Sequence, residues 1–439
     1  MRRYVSVLLV TEGTYPGSMG GVSTWCQRLV TGMPQIEFKI VCISDGPSRA
    51  QTFQLPPNVS ELTILPIGST DEIYYKFSSD SNFRKEVYEI DFQKSTCPSK
   101  EKKRFYLSNN GTKSETLFEM ALKKILMFPV PETDIINAMN SGLAGLLGLK
   151  AKKQHRIPLL ITEHGSYYKE WLLSARLGEC ISKERCWGSD LKNLGHPITI
   201  LDHVNQLVRS TLRGADLVLP VTSSHIPWEL YFGTKPERIK LIPNGINADN
   251  FQPKAIENTD NVMIGSLCRI TPIKDIHTLI LAAHHVIQLI PRAEFHLIGP
   301  IENKQYYMSC CAMIENLGLE SRFLIHKATK EPQEWYQQFD LFTLSSISEG
   351  MPLSLLEAMA TGIPTVVSDV GGNRETTRGL GTIVPAQRPD KLARGIQRTL
   401  RLNKQKKGLQ SRQLVQKIFS ESQLIQNYVD LYTCLSKIG

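Results

Sequence analysis

The chain has 439 residues, of which 41% are hydrophobic and 21% are charged, a composition typical of globular proteins. This length exceeds what one core usually organises, and it predicts two domains of about 200 residues each. The formal net charge is +9, but no recognition motif or aromatic stacking pattern accompanies it, which argues against nucleic acid as a partner.

The N-terminal segment, MRRYVSVLLVTEG, combines two arginines with a short apolar run. The run ends in Thr-Glu-Gly and lacks a small-residue cleavage site, so it predicts a first β-strand rather than a signal peptide. No apolar run approaches the roughly 18 residues that a membrane-spanning helix needs. Nine cysteines without a Cys-x-x-Cys pair predict a reducing, cytoplasmic location and no structural zinc site.

Short apolar strands alternate with helical patterns along the first half of the chain. The strand segments are VSVLLV, FKIVCIS, ELTILPI, TDIINAM, PLLITEH and DLVLPVT. Strand and helix in alternation predict a parallel sheet with crossover helices. Between about 68 and 115 the alternation breaks down into polar and charged residues, which predicts an insertion or a flexible loop.

A second alternating series follows IPNGINADNFQPKAIENTD, a segment rich in Asn, Pro and Asp. Its strand segments are VMIGSLCRI, AEFHLIG, FLIHK, LFTLSS and PTVVSD, and the helices between them are predicted near 275–289, 306–317 and 353–361. Two such series predict two doubly wound, Rossmann-like domains, over 1–250 and 251–419. The apolar spacing in SESQLIQNYVDLYTCLSKIG predicts a final helix over about 420–439.

Two segments of the first domain follow strands, where open parallel sheets bind ligands. The first, TEGTYPGSMGGVSTW, places Gly20 and Gly21 at the start of a predicted helix. Glycines there allow a phosphate to approach the backbone, but a plain tight turn explains the pattern equally well. The second, TEHGSYY, contains His164, for which a structural role fits as well as a functional one.

The segment GSLCRITPIKDIHTLI places Arg269 and Lys274 in the turn between a strand and a helix of the second domain. Two cations that bracket a loop at the carboxyl edge of a sheet suit a diphosphate. Two solvated surface charges are the alternative.

The segment SEGMPLSLLEAM carries two carboxylates, Glu349 and Glu357, among apolar residues. Gly350 breaks any helix, which predicts Glu349 on a loop and Glu357 about one turn into a buried helix. Backbone N–H groups near Leu353 and Ser354 are predicted to lie between the two carboxylates. Carboxylates that accept hydroxyls, beside cations and amides that bind phosphates, together predict a nucleotide-sugar site.

Together these segments resemble the retaining glycosyltransferases of family four, whose GT-B fold has two Rossmann-like domains with parallel sheets facing across a cleft. The segments EGTYPGSMGGVSTW, TEHGSYYKE, RITPIKDIHTLI and SEGMPLSLLEAMATGIPTVVSDVGG are similar to the PelF-like branch, which makes exopolysaccharide. The resemblance implies transfer of a hexose from a nucleoside diphosphate sugar, UDP-glucose or similar, to a glycan or lipid-linked acceptor. The anomeric configuration would be retained.

The resemblance also implies roles for the candidate residues, with Glu349 at the donor sugar and Glu357 at the ribose hydroxyls. The implied donor-binding set is Gly20, Gly21, Arg269, Lys274, Glu349, Gly350, Leu353, Ser354 and Glu357, and the implied catalytic set is His164, Arg269, Lys274 and Glu349. No metal or other cofactor is expected, because two cations neutralise the departing diphosphate. Many relatives carry a histidine near Asn137, and this departure bears on the acceptor side.

Two other classes of function fit the same architecture. A protein that binds a nucleotide sugar without catalysis would keep the fold, although here every charged position of the set is present. An enzyme that needs no acceptor, such as a nucleotide-sugar epimerase, or a phosphorylase with a pyridoxal cofactor, is the second alternative.

Residues 388–417 include ten Lys or Arg and one acid, Asp390. Such a run usually forms a solvated helix face, but it also suits an anionic membrane surface. The expected partners are therefore the donor, the acceptor and, by peripheral contact, the inner face of the membrane or a membrane synthase complex.

Overall fold

A computed structural model describes most of the chain. The described residues are 5–13, 15–17, 20–44, 53–67, 73–78, 85–89, 117–177, 197–253, 261–401 and 404–436. They form two α/β domains, each built on one sheet. No helix within these ranges is both long and apolar enough to span a bilayer.

The first domain is built on an eight-stranded sheet. Its strands are β1 (Val5–Glu12), β2 (Ile36–Ser44), β3 (Val59–Pro66), β4 (Ile73–Ser78), β5 (Lys85–Glu89), β6 (Ile135–Ala138), β7 (Leu159–Glu163) and β8 (Leu217–Pro220). They lie in the order β5-β4-β3-β2-β1-β6-β7-β8. The six strands from β3 to β8 in this order are parallel, and β4 and β5 extend the sheet as an antiparallel pair at one edge.

The antiparallel pair lies in the segment 68–115, where the sequence predicted an insertion or a flexible loop. The segment contains the strands β4 and β5, and its other residues lie outside the described ranges. The sequence of β4, IYYKFS, is rich in aromatic and β-branched residues, which favour strands. The loss of alternation between strands and helices did not reveal these two strands, because antiparallel strands at a sheet edge need no crossover helix between them.

Helices cover both faces of the first sheet. They are α1 (Gly21–Thr31), α2 (Leu117–Met127), α3 (Leu143–His155), α4 (Tyr167–Leu177), α5 (Pro197–Gly214) and α6 (Ile226–Phe232). Two apolar clusters fill the space between these helices and the sheet. The central strand β1 is buried over its last six residues, as expected for a parallel strand covered on both faces.

The second domain is built on a six-stranded parallel sheet. Its strands are β9 (Val262–Leu267), β10 (Ala293–Ile298), β11 (Phe323–His326), β12 (Leu341–Leu344), β13 (Thr365–Ser368) and β14 (Thr382–Val384). They lie in the order β11-β10-β9-β12-β13-β14. The helices of this domain are α7 (Ile276–Leu289), α8 (Lys304–Asn316), α9 (Pro332–Gln338), α10 (Leu353–Ala360), α11 (Asn373–Thr377), α12 (Pro389–Arg401) and α13 (Lys404–Ile418).

The chain then returns to the first domain through α14 (Glu421–Leu435). Its side chains Leu424, Tyr428 and Tyr432 are buried in the apolar cluster that also contains Val7 and Leu9 of β1. Burial of several large side chains at about 1.5 to 3 kcal/mol each ties this helix firmly to the first sheet.

The strand order reverses at one point in each sheet, between β1 and β6 and between β9 and β12. Ligands of doubly wound sheets bind outside the carboxyl ends of the strands at such points. β1 leads into the turn with Gly20 and Gly21, and β9 leads into the loop with Arg269 and Lys274. The topology therefore places both predicted phosphate-binding segments at the ligand-binding edges of their sheets.

Candidate active site

Lys274 and Glu349 form an ion pair at the carboxyl edge of the second sheet. Lys274 Nζ lies 2.6 Å from Oε1 of Glu349, and Ser346 Oγ donates to the same oxygen at 2.6 Å. Only 13% and 8% of the two charged side chains are exposed. The other oxygen, Oε2 of Glu349, accepts no hydrogen bond from the described part of the chain. One carboxylate oxygen is thus held in place while the other is available to a ligand hydroxyl.

Arg269 is paired with an acid that the sequence did not single out. Arg269 Nη1 donates to Oε1 and Oε2 of Glu302 at 2.8 and 2.9 Å. Glu302 follows β10, which neighbours β9, so the two loops meet at the same edge of the sheet. Each of the two predicted phosphate-binding cations therefore has a carboxylate beside it in this structure.

Glu357 lies in α10 at the boundary between the two domains. The hydroxyl of Tyr336 donates to Oε2 of Glu357 at 3.0 Å. Arg28, from α1 of the first domain, places Nη2 at 3.5 Å from Oε1. Burial raises the pKa of the Glu357 carboxyl, and both Arg28 and the hydrogen bond from Tyr336 oppose that shift. Sequence reasoning missed both partners, because neither α1 nor α9 carries a motif at these positions.

The helices α1 and α10 begin at the carboxyl edges of the two sheets without a side-chain cap. Their N-cap residues, Gly20 and Pro352, make no side-chain hydrogen bond. The first N–H groups of a helix have no partner within it, so those of Leu353 and Ser354 point toward the edge of the sheet. A Cβ atom at Gly20 or Gly21 would meet no atom of the described residues within 4 Å. The open space at Gly20 and Gly21 and the uncapped helix ends both suit an anionic ligand.

The two domains touch at Gly350. A Cβ atom at this position would lie 2.0 Å from the carbonyl oxygen of His164, in the first domain. The ring of His164 packs edge-on against Trp25, with the centroids 4.6 Å apart. Gly371 adopts a φ of 54°, and a Cβ there would lie 1.9 Å from the carbonyl oxygen of Glu349. The loop that carries Glu349 is therefore enclosed by backbone on two sides.

A second contact between the domains involves Glu375 of α11. One of its oxygens, Oε2, accepts hydrogen bonds from Thr222 Oγ1 at 2.8 Å, from Ser223 N at 2.8 Å and from Ser223 Oγ at 2.7 Å. Nearby, Asn244 Nδ2 donates to the carbonyl of Met351 at 2.8 Å. These hydrogen bonds hold the carboxyl edges of the two sheets against each other.

Two buried titratable side chains lie beside this contact. Burial lowers the pKa of His225 to about 4. Burial, together with the nearby carboxylate of Glu163, raises the pKa of Glu229 to about 8. Neither carboxyl oxygen of Glu229 has a hydrogen-bond partner among the described residues. Both His225 and Glu229 are therefore mainly uncharged near pH 7.

Asn137, at which the sequence departs from the histidine of many relatives, lies in the core of the first domain. Its side chain is fully buried, with Nδ2 donating to the Tyr432 hydroxyl at 2.8 Å and Oδ1 accepting from Thr162 Oγ1 at 2.9 Å. The strand β6 is buried along its length, and Asn137 faces α14 through Tyr432. The polar residue that follows β6 at the sheet edge is Asn140, which donates to Glu12 at 3.1 Å.

The predicted site residues fall into two groups that meet at one contact. Arg269, Lys274, Glu349, Gly350, Leu353, Ser354 and Glu357 lie at the edge of the second sheet, and Gly20, Gly21 and His164 lie at that of the first. The contact between Gly350 and His164 joins the groups. In the described ranges, no three His, Cys, Asp or Glu residues are grouped so as to hold a metal ion.

Two family models match the chain. Residues 5–110 and 112–237, more than half of the sequence, match a family described as "Domain of unknown function (DUF3492)". The chain belongs to this family. Residues 247–413, which include the second sheet and all of its site residues, match the family "Glycosyl transferases group 1".

Curated relatives share parts of the sequence. A UDP-Gal:alpha-D-GlcNAc-diphosphoundecaprenol alpha-1,3-galactosyltransferase of Escherichia coli is 31% identical over 162 residues, 33% of this chain and 40% of that protein. A D-inositol 3-phosphate glycosyltransferase of Streptomyces bingchenggensis is 22% identical over 275 residues, 58% of this chain and 56% of that protein. The chain thus matches about half or less of the length of these two relatives.

Solved structures match nearly the whole chain. The sucrose-phosphate synthase of Thermosynechococcus elongatus superposes with a TM-score of 0.72 at 17% identity, covering 99% of this chain and 100% of that one. Anabaena Alr3699/HepE, solved with UDP and glucose, superposes with a TM-score of 0.66 at 16% identity, covering 97% and 99%. These likenesses show the fold, and the predicted GT-B architecture of two Rossmann-like domains is confirmed.

Proposed function

We propose that the protein is a retaining glycosyltransferase, of family four and its PelF-like branch, that transfers a hexose from a UDP-sugar such as UDP-glucose. The observation that carries the proposal is the Lys274–Glu349 pair, held at 2.6 Å at the switch point of the second sheet with one carboxylate oxygen available to a ligand. The match of residues 247–413 to a glycosyltransferase family and the Anabaena complex with UDP and glucose support it.

In this proposal the diphosphate of the donor lies between the two domains. Arg269 and Lys274 approach it from the second domain, and the backbone at Gly20 and Gly21 approaches it from the first. When the bond between the sugar and the phosphate breaks, negative charge develops on the departing diphosphate. In this proposal Lys274, which pairs with Glu349 in this structure, stabilises the charge on the departing diphosphate in place of a metal ion.

The ribose and the sugar of the donor bind to the two glutamates. Glu357 holds the ribose hydroxyls, because its Oε1 is only loosely engaged by Arg28, at 3.5 Å. Glu349 receives a sugar hydroxyl on Oε2, and His164 lies beside the reacting sugar. No side chain is assigned as a nucleophile, and retention is tested by the anomeric configuration of the product in an NMR spectrum.

The acceptor in this proposal is a glycan or a lipid-linked sugar used in polysaccharide biosynthesis, and the protein acts at the cytoplasmic side of the membrane. The name of the E. coli relative describes a sugar acceptor linked to diphosphoundecaprenol, which supports this class of acceptor. The acceptor hydroxyl approaches from the first domain, where Glu12 and Asn140 lie at the edge of the sheet.

A panel of UDP- and GDP-sugars tests the proposal, with release of nucleoside diphosphate as the measurement. Lys274→Ala is expected to lower kcat by about 100-fold or more while weakening UDP binding less, because the lysine acts mainly as charge develops. Lys407→Ala, an exposed cation of α13, is the matched control and should leave kcat unchanged.

Other outcomes of the same panel contradict the proposal. Nucleotide binding without release identifies a protein that binds the donor without catalysis. Free nucleotide released together with a sugar whose configuration differs from that of the donor sugar identifies an epimerase. Loss of activity in a chelator, restored by magnesium, contradicts the metal-independent chemistry, and unchanged turnover in Lys274→Ala makes this lysine a surface charge.

A further inference from the structure

The first domain exposes large apolar side chains next to cations. Leu230 and Tyr231 of α6 are 43% and 59% exposed, and Leu241 is 39% exposed. These are the large hydrophobic side chains that the described residues of the first domain expose to this degree. Their grouping within twelve positions of the sequence distinguishes this area from the scattered apolar residues that any surface carries.

Arginine side chains lie around α6 and around the segment that follows it. The guanidinium of Arg209, in α5, lies over the ring of Tyr231 at 4.9 Å, and its Nη1 donates to the Tyr231 carbonyl at 3.2 Å. Arg238 Nη1 donates to the carbonyl of Arg213 at 3.3 Å. We call this area the α6 surface; it consists of Arg209, Arg213, Leu230, Tyr231, Lys235, Arg238, Lys240 and Leu241.

Within residues 209–241 the five cations of the α6 surface outnumber the acids. Between 209 and 241 the acids are Asp216, Glu229 and Glu237. Asp216 is paired with Lys152 at 2.6 Å, and Glu229 is buried, with 2% of the residue exposed. Glu237 is the exposed acid among them.

We propose that the α6 surface docks on an anionic lipid bilayer. Leucine and tyrosine side chains enter the interfacial layer, where aromatic residues are favoured, while Lys and Arg reach the headgroup phosphates. The five cations are complementary in charge to the anionic headgroups of a bilayer, which is the occupant that we propose. Three apolar side chains suit shallow, reversible contact rather than insertion.

The position of α6 links this contact to the cleft. The helix follows His225 directly, and a Cβ at Gly350 would lie 3.5 Å from Cε1 of that histidine. Seven residues of helix span only about 10 Å, so the bilayer would lie within roughly 15 Å of the contact between the domains. A bilayer at this distance would bring a lipid-linked acceptor close to the cleft. This consequence rests on the proposed function, whereas the docking of the α6 surface does not.

The basic run 388–417 is a weaker candidate for the same role. Arg388 pairs with Asp390 at 3.0 Å, and Arg412 donates to the carbonyl of Ala360 at 2.7 Å. The exposed cations of α12, such as Arg394 and Arg398, stand without exposed aromatic residues in that helix. This helix therefore supplies a matched control of equal charge.

Flotation with phosphatidylcholine vesicles, with and without phosphatidylglycerol, tests the proposal. We expect binding to the anionic vesicles at low salt and release at high salt. Lys235→Gln/Lys240→Gln should weaken binding about 25-fold, since each cation near such a surface contributes about fivefold. Leu230→Ser/Tyr231→Ser should weaken it about tenfold or more. Arg394→Gln/Arg398→Gln should change it less than about twofold.

The proposal would be overturned if the parent protein did not bind anionic vesicles at low salt. It would also be overturned if the α12 control lost as much vesicle binding as the α6 variants, or if neither double variant at the α6 surface lost vesicle binding. The substituted side chains are exposed, so the variants should unfold thermally at the same temperature as the parent protein. If Leu230→Ser/Tyr231→Ser does not fold, the vesicle binding of Lys235→Gln/Lys240→Gln tests the proposal alone. The assay contains no donor, so its failure leaves the proposed transfer activity standing.

Discussion

Gly21 lies beside open space that could hold a side chain. A methyl group there would meet no atom of the described part of the chain within 4 Å, and Gly21 is the first residue of α1. We expect Gly21→Ala to keep or raise the free energy of unfolding, by up to about 1 kcal/mol. The methyl group should weaken UDP binding about tenfold, if the phosphate approaches the backbone there as proposed. Calorimetric titration with UDP and thermal unfolding measure the two effects.

Gly148→Ala is the opposite control for this experiment. Its methyl group would lie 2.6 Å from Cδ1 of Leu159, in the core of the first domain. This variant should lose stability, while the correctly folded fraction keeps its affinity for UDP. Unchanged UDP binding in Gly21→Ala would make the glycine pair a plain turn.

Glu229 makes the stability of the first domain depend on pH. The folded carboxyl keeps its proton up to a pKa of about 8, while the ordinary value is 4.5. Between these values the folded state binds more protons than the unfolded state, so stability falls as pH rises. The side chain of Glu229→Gln stays neutral at every pH. We expect the free energy of unfolding of this variant to exceed that of the parent by on the order of 3 kcal/mol near pH 9, with a smaller difference near pH 5.

Urea unfolding at several pH values measures this difference. Glu237→Gln, at an exposed glutamate nearby, serves as the control and should follow the pH dependence of the parent protein. If Glu229→Gln raised the free energy of unfolding by the same amount at every pH, the Glu229 carboxyl would not be the titrating group.

At the scale of elements, α14 is held to the first sheet by a buried polar network as well as by apolar packing. Asn137 donates to the Tyr432 hydroxyl at 2.8 Å, and the Tyr428 hydroxyl lies 3.1 Å from Thr162 Oγ1. Tyr432→Phe leaves the amide of Asn137 without this partner, which should cost about 1 to 3 kcal/mol of stability.

Chemical unfolding of Tyr432→Phe tests the network. Tyr168→Phe removes a hydroxyl from a half-buried tyrosine of α4 and should change stability by less than about 0.5 kcal/mol. UDP binding should be unchanged in both variants, because Asn137 lies in the core. Equal stability of the two variants would mean that the network contributes little.

The sequence predicted elements well where local signals were strong. Asp275 predicted the start of a helix and caps α7, its side chain accepting from the N–H of Thr278. Gly350 predicted a loop, and α10 begins three residues later. The hairpin of β4 and β5 was missed, because a short antiparallel edge leaves no crossover helix in the sequence pattern.

Contacts between distant segments could not be predicted from the sequence. Arg28 and Glu357 are 329 positions apart, and no local pattern relates them. Tyr336 and Glu302 were missed for the same reason, since each reaches the site from a neighbouring loop or helix. The motifs predicted which residues lie at the edges of the sheets, but not which side chains hold them there.

At the scale of the whole molecule, Glu375 links the domains through one carboxylate. It accepts three hydrogen bonds from Thr222 and Ser223. Glu375→Ala removes all three, so we expect a larger radius of gyration in small-angle X-ray scattering and a kcat reduced severalfold, on the order of 1 kcal/mol. Glu320→Ala, at an exposed acid of the second domain, is the control, and a scattering curve unchanged by Glu375→Ala would show that this contact does not hold the domains together.

The contact at Gly350 makes the distance between the domains sensitive to a single carbon atom. The His164 carbonyl lies 2.0 Å from the position of that carbon, and backbone cannot move aside as a flexible side chain can. An alanine at this position would act as a spacer, keeping the halves apart while leaving every charged residue of the site unchanged. Such a variant would separate the two groups of site residues, and so would show how much of donor binding depends on the contact between the domains rather than on the charged residues alone.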